Sequence, residues 1–251
     1  MCRSRFFALS ALSALSVAAC AAAPHITGPS ATVFDPGADL SLDENPPGGI
    51  WQYGYTVGQT LEPTAFRRDE HEYHDEDFPV SFWQPSAASH FPYVAGHRRP
   101  RTVEYAPPFP ANSPNAGTVR PGWVVRAGEL AMEASNTGQY SVVRFTAPVA
   151  GQYRVNARFE GIHCGWSTTD VHVMQGPRSL FSADIDGYGG DPAFSRVRGA
   201  NPAAVYSGTV ALEAGDTIDF AVGYGKNRTH FSDTTGLSAR VELARPDANS
   251  R

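Results

Sequence analysis

The sequence predicts an all-β fold, a two-sheet antiparallel β-sandwich of jelly-roll-like form. Residues that favour turns recur about every eight to twelve positions along the body of the chain, a spacing typical of sandwiches and barrels. Almost no stretch has the apolar period of a helix. The segment 152–160 instead alternates apolar and polar residues, which is typical of a strand with one buried face and one wet face.

The second half of the chain has the clearest strand patterns. In 152–160 the apolar residues from Tyr153 to Phe159 share one face, and the same alternation recurs over 217–222 and 237–243. Successive side chains of a strand point to opposite faces, so Asp219 is expected on the polar face of its strand. Further strands are predicted over 140–146, 170–174, 180–185 and 205–212.

The first half of the chain has weaker patterns. A long irregular loop is predicted over 105–121, which contains five prolines. Turn residues punctuate the later strands, and Gly215 is expected to supply a positive φ in one of these turns. Strands are predicted over 50–57, 80–83, 91–94 and 123–131.

The first twenty residues resemble the signal of bacterial lipoproteins. Two arginines make a short basic start, and the uncharged run 6–19 that follows is too short to span a bilayer. Residues 17–20 then have the lipobox pattern Val-Ala-Ala-Cys. The resemblance implies that 1–19 is a signal peptide and that the thiol of Cys20 takes the lipid. An ordinary signal cut close to Cys20 is the alternative.

The predicted lipoprotein has an anchor, a tether and one domain. No Asp follows Cys20 directly, and by resemblance to Gram-negative lipoproteins this implies the outer membrane; without the lipid the chain would be periplasmic or secreted. Residues 20–45, rich in Ala, Pro, Gly and Ser, are predicted to be a flexible tether. A β-sandwich domain is expected over 46–245 and a frayed tail over 246–251.

Charge and cysteine content exclude some classes of protein. A signal that holds two arginines and no acidic residue changes the formal net charge from −5 to −7 when it is removed, which argues against nucleic acid as a partner. Cys164 would be the single cysteine left in the domain, so no internal disulfide is expected. His163 beside it suggests a nucleophile pair, but no general base or oxyanion hole is placed by the sequence, and an inert thiol is expected.

Short phrases spread over most of the predicted domain form a combined motif. They are 51–54 (Trp-Gln-Tyr-Gly), 140–148, 150–153, 168–173, 212–223 and 233–237. Together they resemble a family of exported bacterial proteins of uncharacterised function, similar in general look to carbohydrate-binding β-sandwich modules. The resemblance implies the fold and export, and it implies no activity.

Two groups of residues are candidate metal ligands. His71 and His74 lie in the acidic run 69–77 and could bind Zn²⁺ or another divalent cation; a charged, solvated loop is the alternative. A structural Ca²⁺ is the one cofactor the sequence suggests, with turn capping as the alternative role of its ligands. Those candidate calcium ligands are Asp170, Asp216 and Asp219.

Aromatic residues in turns indicate a binding role. Trp166 and Tyr188 lie in glycine-containing segments, where a flat ring could stack on the apolar face of a sugar. The alternative is that these rings pack in the core. Polar groups that could pair with the sugar hydroxyls are Asp186, Asp191, Asn227 and Arg228.

These features predict a non-catalytic, membrane-anchored module that binds a glycan or another envelope component. The second hypothesis is a structural or assembly protein that binds a protein partner through a sheet face. The third is a glycoside hydrolase, which requires two carboxylates about 5 to 9 Å apart in a cleft. No catalytic residue is assigned from the sequence.

Overall fold

The computed structural model describes residues 33–41, 43–74, 79–97, 103–105, 122–195 and 199–244. These residues form sixteen β-strands and one 3-10 turn, Pro63–Ala65. None of them belongs to an apolar helix of membrane-spanning length. Residues 1–32 and 245–251 lie outside the described ranges, and so do Cys20 and almost all of the predicted loop 105–121.

The strands are numbered in chain order. They are β1 Val33–Phe34, β2 Trp51–Thr56, β3 Phe66–Arg68, β4 His71–His74, β5 Ser81–Gln84, β6 Tyr93–Gly96, β7 Val103–Tyr105, β8 Trp123–Val125, β9 Leu130–Glu133, β10 Ser141–Thr146, β11 Gly151–Gly161, β12 Asp170–Gln175, β13 Arg178–Asp184, β14 Ala203–Leu212, β15 Thr217–Val222 and β16 Thr235–Leu243.

Two antiparallel sheets form the sandwich. The larger has the order β14-β11-β16-β9-β6-β5-β4, with β1 also paired to β16. The smaller has the order β13-β12-β15-β10-β2-β3, and β7 and β8 form a separate two-stranded ribbon. Most neighbours are not consecutive in the chain, so the strands cross repeatedly between and within the sheets. The predicted all-β, two-sheet antiparallel sandwich is confirmed.

The main core lies between the inner faces of the two sheets. Tyr153, Val155, Ala157 and Phe159 of β11 are all buried there, as their alternation predicts. Aromatic rings meet at the centre: the ring of Phe145 lies 5.2 Å from that of Phe34, 5.3 Å from that of Trp51 and 5.7 Å from that of Tyr153. Burial of such apolar side chains is the main term that favours this fold.

A second apolar cluster lies on the outer face of the larger sheet. Phe82, Tyr93 and Ala131 point outward from β5, β6 and β9 and pack with Trp123 of β8 and with Ile162. Their chain neighbours point inward to the main core, as the period of two requires. The β7–β8 ribbon therefore covers part of an outer face that would otherwise meet water.

The segment 123–131, predicted as one strand, is two strands. The chain turns between β8 and β9, where the N–H of Glu129 donates to the carbonyl of Arg126 at 3.1 Å and Gly128 has a φ of 76°. Glycine adopts this left-handed conformation without the strain a Cβ would add. The turn places β9 in the larger sheet and leaves β8 in the ribbon.

Two segments that the sequence predicts as a tether and a solvated loop belong partly to the folded domain. Within the predicted tether 20–45, Val33 pairs with Glu242, and Asp39 accepts a hydrogen bond of 3.1 Å from Nε1 of Trp51. The domain therefore begins before residue 46. The acidic run, predicted as a solvated loop, contains β4, which lies at the edge of the larger sheet.

An aromatic cleft on the outer face of the larger sheet

A cleft of about 510 Å³ opens beside the second apolar cluster. Its volume lies in the range typical of small-molecule sites. We call it the aromatic cleft, and the described residues that line it are Tyr73, Phe82, Gln84, His90, Phe91, Tyr93, Gly122, Trp123, Glu133, His163, His230, Phe231, Ser232 and Thr234.

The floor of the cleft comes from three neighbouring strands. Phe82 of β5, Tyr93 of β6 and Glu133 of β9 point outward, and Tyr93 lies directly opposite Glu133 in the strand register. The rings of Phe82 and Tyr93 meet edge to face with their centroids 5.2 Å apart. Because these side chains stand on paired strands, the sheet fixes their spacing.

One wall is held by backbone pairing with β8. Trp123 forms an isolated bridge with His163, and the N–H of Cys164 donates to the carbonyl of Gly122 at 2.8 Å. The ring of Trp123 lies 6.3 Å from that of Phe82 and is nearly perpendicular to it. The ribbon and the segment that starts at His163 thus form one continuous wall.

The rim exposes apolar rings to solvent. Phe231 is 75% exposed and Tyr73 is 37% exposed. The ring of Phe231 stacks on that of His230 with the centroids 4.5 Å apart, and His230 in turn lies 4.5 Å from Phe91. An exposed phenylalanine beside a chain of packed rings offers a flat apolar surface at the cleft mouth.

A buried carboxyl group lies at the base of the cleft. Oε2 of Glu133 accepts a hydrogen bond of 2.7 Å from the Tyr93 hydroxyl and another of 2.6 Å from the Thr234 hydroxyl. Burial raises the pKa of Glu133 to about 8 although these hydrogen bonds lower it, and the nearby Asp233 raises it further. Near neutral pH the Glu133 carboxyl is therefore mostly protonated.

An ion-pair cluster fixes the end of β8. Arg126 donates to both carboxylate oxygens of Glu160, at 2.6 and 3.1 Å, and Arg158 donates to Glu160 at 3.0 Å. The side chain of Glu160 is fully buried, and its hydrogen bond to Arg126 raises the pKa of that guanidinium. Since Arg126 follows β8 directly, this pair ties the Trp123 wall to β11.

Two of the predicted binding residues contact each other, and a third is buried. Trp166 is 46% exposed, and its Nε1 donates to Oδ1 of Asp186 at 2.6 Å. Tyr188, by contrast, is fully buried, so its ring offers no face to a ligand and it is a packing residue. The predicted stacking pair of Trp166 and Tyr188 is therefore not formed.

The other predicted polar partners are surface residues with local hydrogen bonds. The exposed Asp191 accepts from the N–H of Ala193 at 2.8 Å. Asn227 donates to the hydroxyl of Thr168, and Arg228 has a φ of 56° in an exposed turn. The fold therefore brings Asp186 to Trp166, whereas Asp191 and Asn227 form hydrogen bonds with other residues.

The three predicted calcium ligands do not converge. Asp219 makes a two-pronged ion pair with Arg144, with distances of 2.6 and 2.7 Å, and Asp216 accepts the N–H of Glu213 in a turn at 2.8 Å. Asp170 begins β12 and lies beside the C-terminal end of β15, whereas Asp216 directly precedes the N-terminal end of β15. Burial acts to raise the pKa of Asp170, but hydrogen bonds from His172 and the Gly225 N–H outweigh it and lower the pKa.

The two predicted histidine ligands point away from each other. His71 and His74 are three positions apart on β4, and an odd separation places two side chains on opposite faces of a strand. Nδ1 of His74 lies 3.0 Å from the hydroxyl of Ser81. Across the described ranges no three His, Cys, Asp or Glu side chains are grouped to hold a metal ion.

The acidic run also contributes a core residue. Asp69, which starts this run, is fully buried, and burial raises its pKa well above the usual range. Its backbone N–H donates to the carbonyl of Tyr53 at 2.9 Å, as a continuation of the β2–β3 pairing. Asp75, Glu76 and Asp77 lie outside the described residues.

Comparison with known proteins gives a fold-level likeness. No protein family and no curated protein matches the sequence. The structure is similar to the CBM51 of Clostridium perfringens GH95 in complex with methyl-galactose, with 12% identity and a TM-score of 0.29 over 47% of this chain and 72% of that chain. A family 35 carbohydrate binding module from Clostridium thermocellum gives 16% identity and a TM-score of 0.28 over 51% and 85%.

A protein of a different kind has a similar degree of structural likeness. Pika GITRL has 14% identity and a TM-score of 0.25 over 42% of this chain and 79% of that chain.

Glu133 is the one carboxyl group among the described residues that line the cleft. The concave shape also differs from the flat apolar patch expected of a protein-docking face. Sequence patterns missed these residues because Phe82 and Trp83 are both buried, so no alternation marked which one faced the cleft.

Proposed function

We propose that this chain is a non-catalytic glycan-binding module and that its ligand lies in the aromatic cleft. The observation that carries the proposal is the combination of exposed rings at the rim with neutral polar groups inside. Phe231 and Tyr73 offer flat surfaces for the apolar face of a sugar. Gln84, Ser232 and the Tyr93–Glu133 pair supply hydrogen-bonding atoms for its hydroxyls.

Trp166 extends this surface beyond the cleft. Its neighbour Gly165 lies so close to the cleft residue Ser232 that a Cβ at Gly165 would be 3.4 Å from the Ser232 hydroxyl oxygen. The indole of Trp166 is oriented by Asp186 and remains half exposed. A glycan of several units could therefore lie in the cleft and continue onto Trp166.

The test is a glycan array followed by polysaccharide pull-down with the whole purified chain. Phe231→Ala should abolish or strongly weaken retention, because the most exposed ring of the rim is lost. Val205→Ala is the matched control, since Val205 is also exposed and apolar but lies on β14, away from the cleft. Absence of binding by a chain shown to be folded would overturn the proposal.

We also propose, from the first twenty residues, that the module is exported and lipid-anchored to the bacterial outer membrane through Cys20. Metabolic labelling with a palmitate analogue in a Gram-negative host tests this. Cys20→Ala should lose both the label and membrane fractionation, whereas Cys164→Ala should keep both. Labelling that persists in Cys20→Ala would overturn the anchor.

A further inference from the structure

The loop that carries Phe231 has strained backbone positions on either side of that ring. Residues 223–234 connect β15 to β16, and we call this segment the 223–234 loop. Arg228 and Ser232 lie in it with φ values of 56° and 67°. Among the described residues that are not glycine, these two alone have a positive φ. A Cβ makes this left-handed conformation unfavourable, so the surrounding structure must hold it in place.

Ser232 occupies a turn position that favours glycine. The N–H of Asp233 donates to the carbonyl of His230 at 3.2 Å, which closes a four-residue turn. Phe231 is the second residue of this turn and Ser232 is the third. A positive φ at the third residue is a feature of type II turns, which take glycine or asparagine there. Because the chain has serine instead, the local sequence disfavours the conformation that presents Phe231, and contacts with the rest of the fold must stabilise it.

Asp233 supplies the first of these contacts. It directly follows Ser232 and is fully buried. Its Oδ1 accepts a hydrogen bond of 2.6 Å from the N–H of Thr168 and one of 3.0 Å from the Thr168 hydroxyl. Burial raises the pKa of Asp233 to about 6 although hydrogen bonds lower it, so this carboxyl group is mostly ionised above pH 7. An ionised acceptor makes shorter and stronger hydrogen bonds than a neutral one.

The hydroxyl of Thr168 also connects Asp233 to the start of the loop. Nδ2 of Asn227 donates to the same hydroxyl oxygen, and Oδ1 of Asn227 accepts the N–H of Thr229 at 3.2 Å. The Thr229 hydroxyl in turn accepts the N–H of Phe231 at 3.2 Å. A continuous series of hydrogen bonds thus leads from Asp233 through Thr168 to the backbone of Phe231.

We infer that Asp233, Thr168 and Asn227 are positioning residues of the glycan site. They hold the 223–234 loop in the conformation that presents Phe231 to a ligand. The inference rests on the proposed glycan-binding function and adds the residues that organise its most exposed ring. Asn227, predicted from the sequence as a partner of sugar hydroxyls, acts in this proposal through the loop. A preformed site has less conformational entropy to lose on binding, so these residues raise the affinity without touching the ligand.

Removing the carboxylate of Asp233 tests the positioning role. Binding of the methyl glycosides of glucose, galactose and mannose is measured by ligand-observed NMR on the whole chain at pH 7.5. Asp233→Ala should weaken binding about tenfold, as expected if the competent loop conformation falls to about a tenth of the population. Asp233→Asn should retain most of the affinity, because its amide oxygen still accepts from Thr168. Asp184→Ala is the matched control, since Asp184 is a half-exposed carboxylate that pairs with Lys226 of the same loop.

Ser232→Gly tests the contribution of strain. Glycine adopts a positive φ freely, so the turn no longer depends on the contacts of Asp233. Asp233→Ala should therefore weaken binding several-fold less when Ser232→Gly is also present than when it is absent. Loss of the Ser232 hydroxyl affects both members of that comparison and cancels in their ratio. An equal loss of affinity with and without Ser232→Gly would contradict the link between the strained turn and its hydrogen bonds.

Amide hydrogen exchange separates this inference from the proposed function, because it needs no ligand. Asp233→Ala should raise the exchange rate of the Phe231 amide about tenfold or more, and Asp184→Ala should leave it unchanged. Unchanged exchange in Asp233→Ala would overturn the positioning role whether or not a sugar binds. Faster exchange with full retention of sugar binding would overturn the inference alone. No binding of any sugar by the folded wild type would overturn the glycan-binding function and, with it, the role of the loop in recognition.

Discussion

The hydroxyl of Tyr93 donates a hydrogen bond of 2.7 Å to Oε2 of Glu133, directly across the pairing of β6 with β9. Thr234 donates to the same oxygen from a residue 101 positions away in the chain. These three residues join the strand floor of the aromatic cleft to the loop that carries Phe231. The carboxyl group is therefore both a structural link and the polar base of the site.

Glu133 should make the stability of the protein depend on pH. Its pKa is about 8 in the folded state and 4.5 ordinarily. Below 4.5 both states hold the proton and the stabilisation is complete; between 4.5 and 8 only the folded state holds it, so the free energy of unfolding falls as pH rises. Glu133→Gln should flatten this part of the profile, because an amide does not titrate there and can still accept from both hydroxyls.

The measurement is urea unfolding of the wild type and of Glu133→Gln from pH 4 to pH 9. Glu129, whose pKa burial raises to about 7, contributes a similar slope in both proteins and cancels in the difference. A difference between the two proteins that is independent of pH would show that the carboxyl of Glu133 has no raised pKa in the fold.

Glu160 should be needed for the stability of the cleft wall. Glu160→Gln removes the charge from a buried carboxylate that two half-exposed guanidinium groups bind, and losing such charge-assisted hydrogen bonds costs about 1.5 to 3 kcal/mol. Glu242→Gln is the matched control, because Glu242 is a partly exposed carboxylate 3.5 Å from Arg154 on the adjacent strand. Such surface pairs contribute about 0 to 1 kcal/mol.

Chemical unfolding measures the change in stability of each variant. The affinity for a glycan, measured below the melting temperature, reports whether the Trp123 wall is still in place. Weaker binding by folded Glu160→Gln, with unchanged binding by Glu242→Gln, is expected because Arg126 no longer holds the Trp123 wall. Equal stability of the two variants would contradict the role assigned to Glu160.

Asp219 should stabilise the smaller sheet by pairing with Arg144. The two residues are opposite each other on β10 and β15, their side chains are mostly buried, and the guanidinium carbon of Arg144 lies 3.9 Å from the centre of the Phe66 ring. Asp219→Ala should cost roughly 2 to 4 kcal/mol because it leaves this guanidinium without its partner. Asp216→Ala, in an exposed turn, should cost about 1 kcal/mol or less.

The double variant Arg144→Met, Asp219→Leu separates charge from packing. An apolar pair should recover most of the stability lost in Asp219→Ala, as seen when buried ion pairs are replaced as a unit. Urea unfolding of the set measures this. If the double variant lost as much free energy of unfolding as Asp219→Ala, the effect would come from a change in packing and not from the unpaired charge.

Trp166 should matter for long ligands and not for short ones. If a glycan continues from the cleft past Ser232, Trp166→Ala should weaken the binding of an oligosaccharide by roughly tenfold, the effect of losing one stacked ring. The affinity for a single sugar unit should stay unchanged. Isothermal titration with a series of increasing length measures this, and Trp166→Phe should retain most of the affinity. If Trp166→Ala weakened the binding of short and long ligands equally, the proposal that Trp166 contacts only the part of a ligand beyond the cleft would be wrong.

Where one face of a strand is buried and the other is wet, the sequence was sufficient to predict the strand and its orientation. Over β11, Tyr153, Val155, Ala157 and Phe159 are buried and Arg154 and Arg158 are exposed. Gly215 has the predicted positive φ, 92°, in its turn. Alternation was a weaker guide in β15, where Asp219 lies on the outer face as predicted but is buried, because Arg144 and Phe66 cover it.

The sequence predicted only some of the residues that lie together on this surface, because the burial of a loop residue depends on neighbours that are distant in sequence. Trp166 does meet Asp186, 20 positions away, but Tyr188 is buried. The export signal and the lipid at Cys20 stay predictions, because those residues lie outside the described ranges.

By itself, the amino-acid sequence determined the all-β class, most strands of the second half and their inward faces, because a period of two and turn residues are local properties. The tertiary structure decided the location of the cleft. Phe82, Glu133 and Phe231 come from separate parts of the chain, and they meet only because the sheet places β5 and β9 on either side of β6 and the 230–234 loop closes over them. The raised pKa of Glu133 has the same origin, since desolvation is created by packing and is not encoded in any one segment.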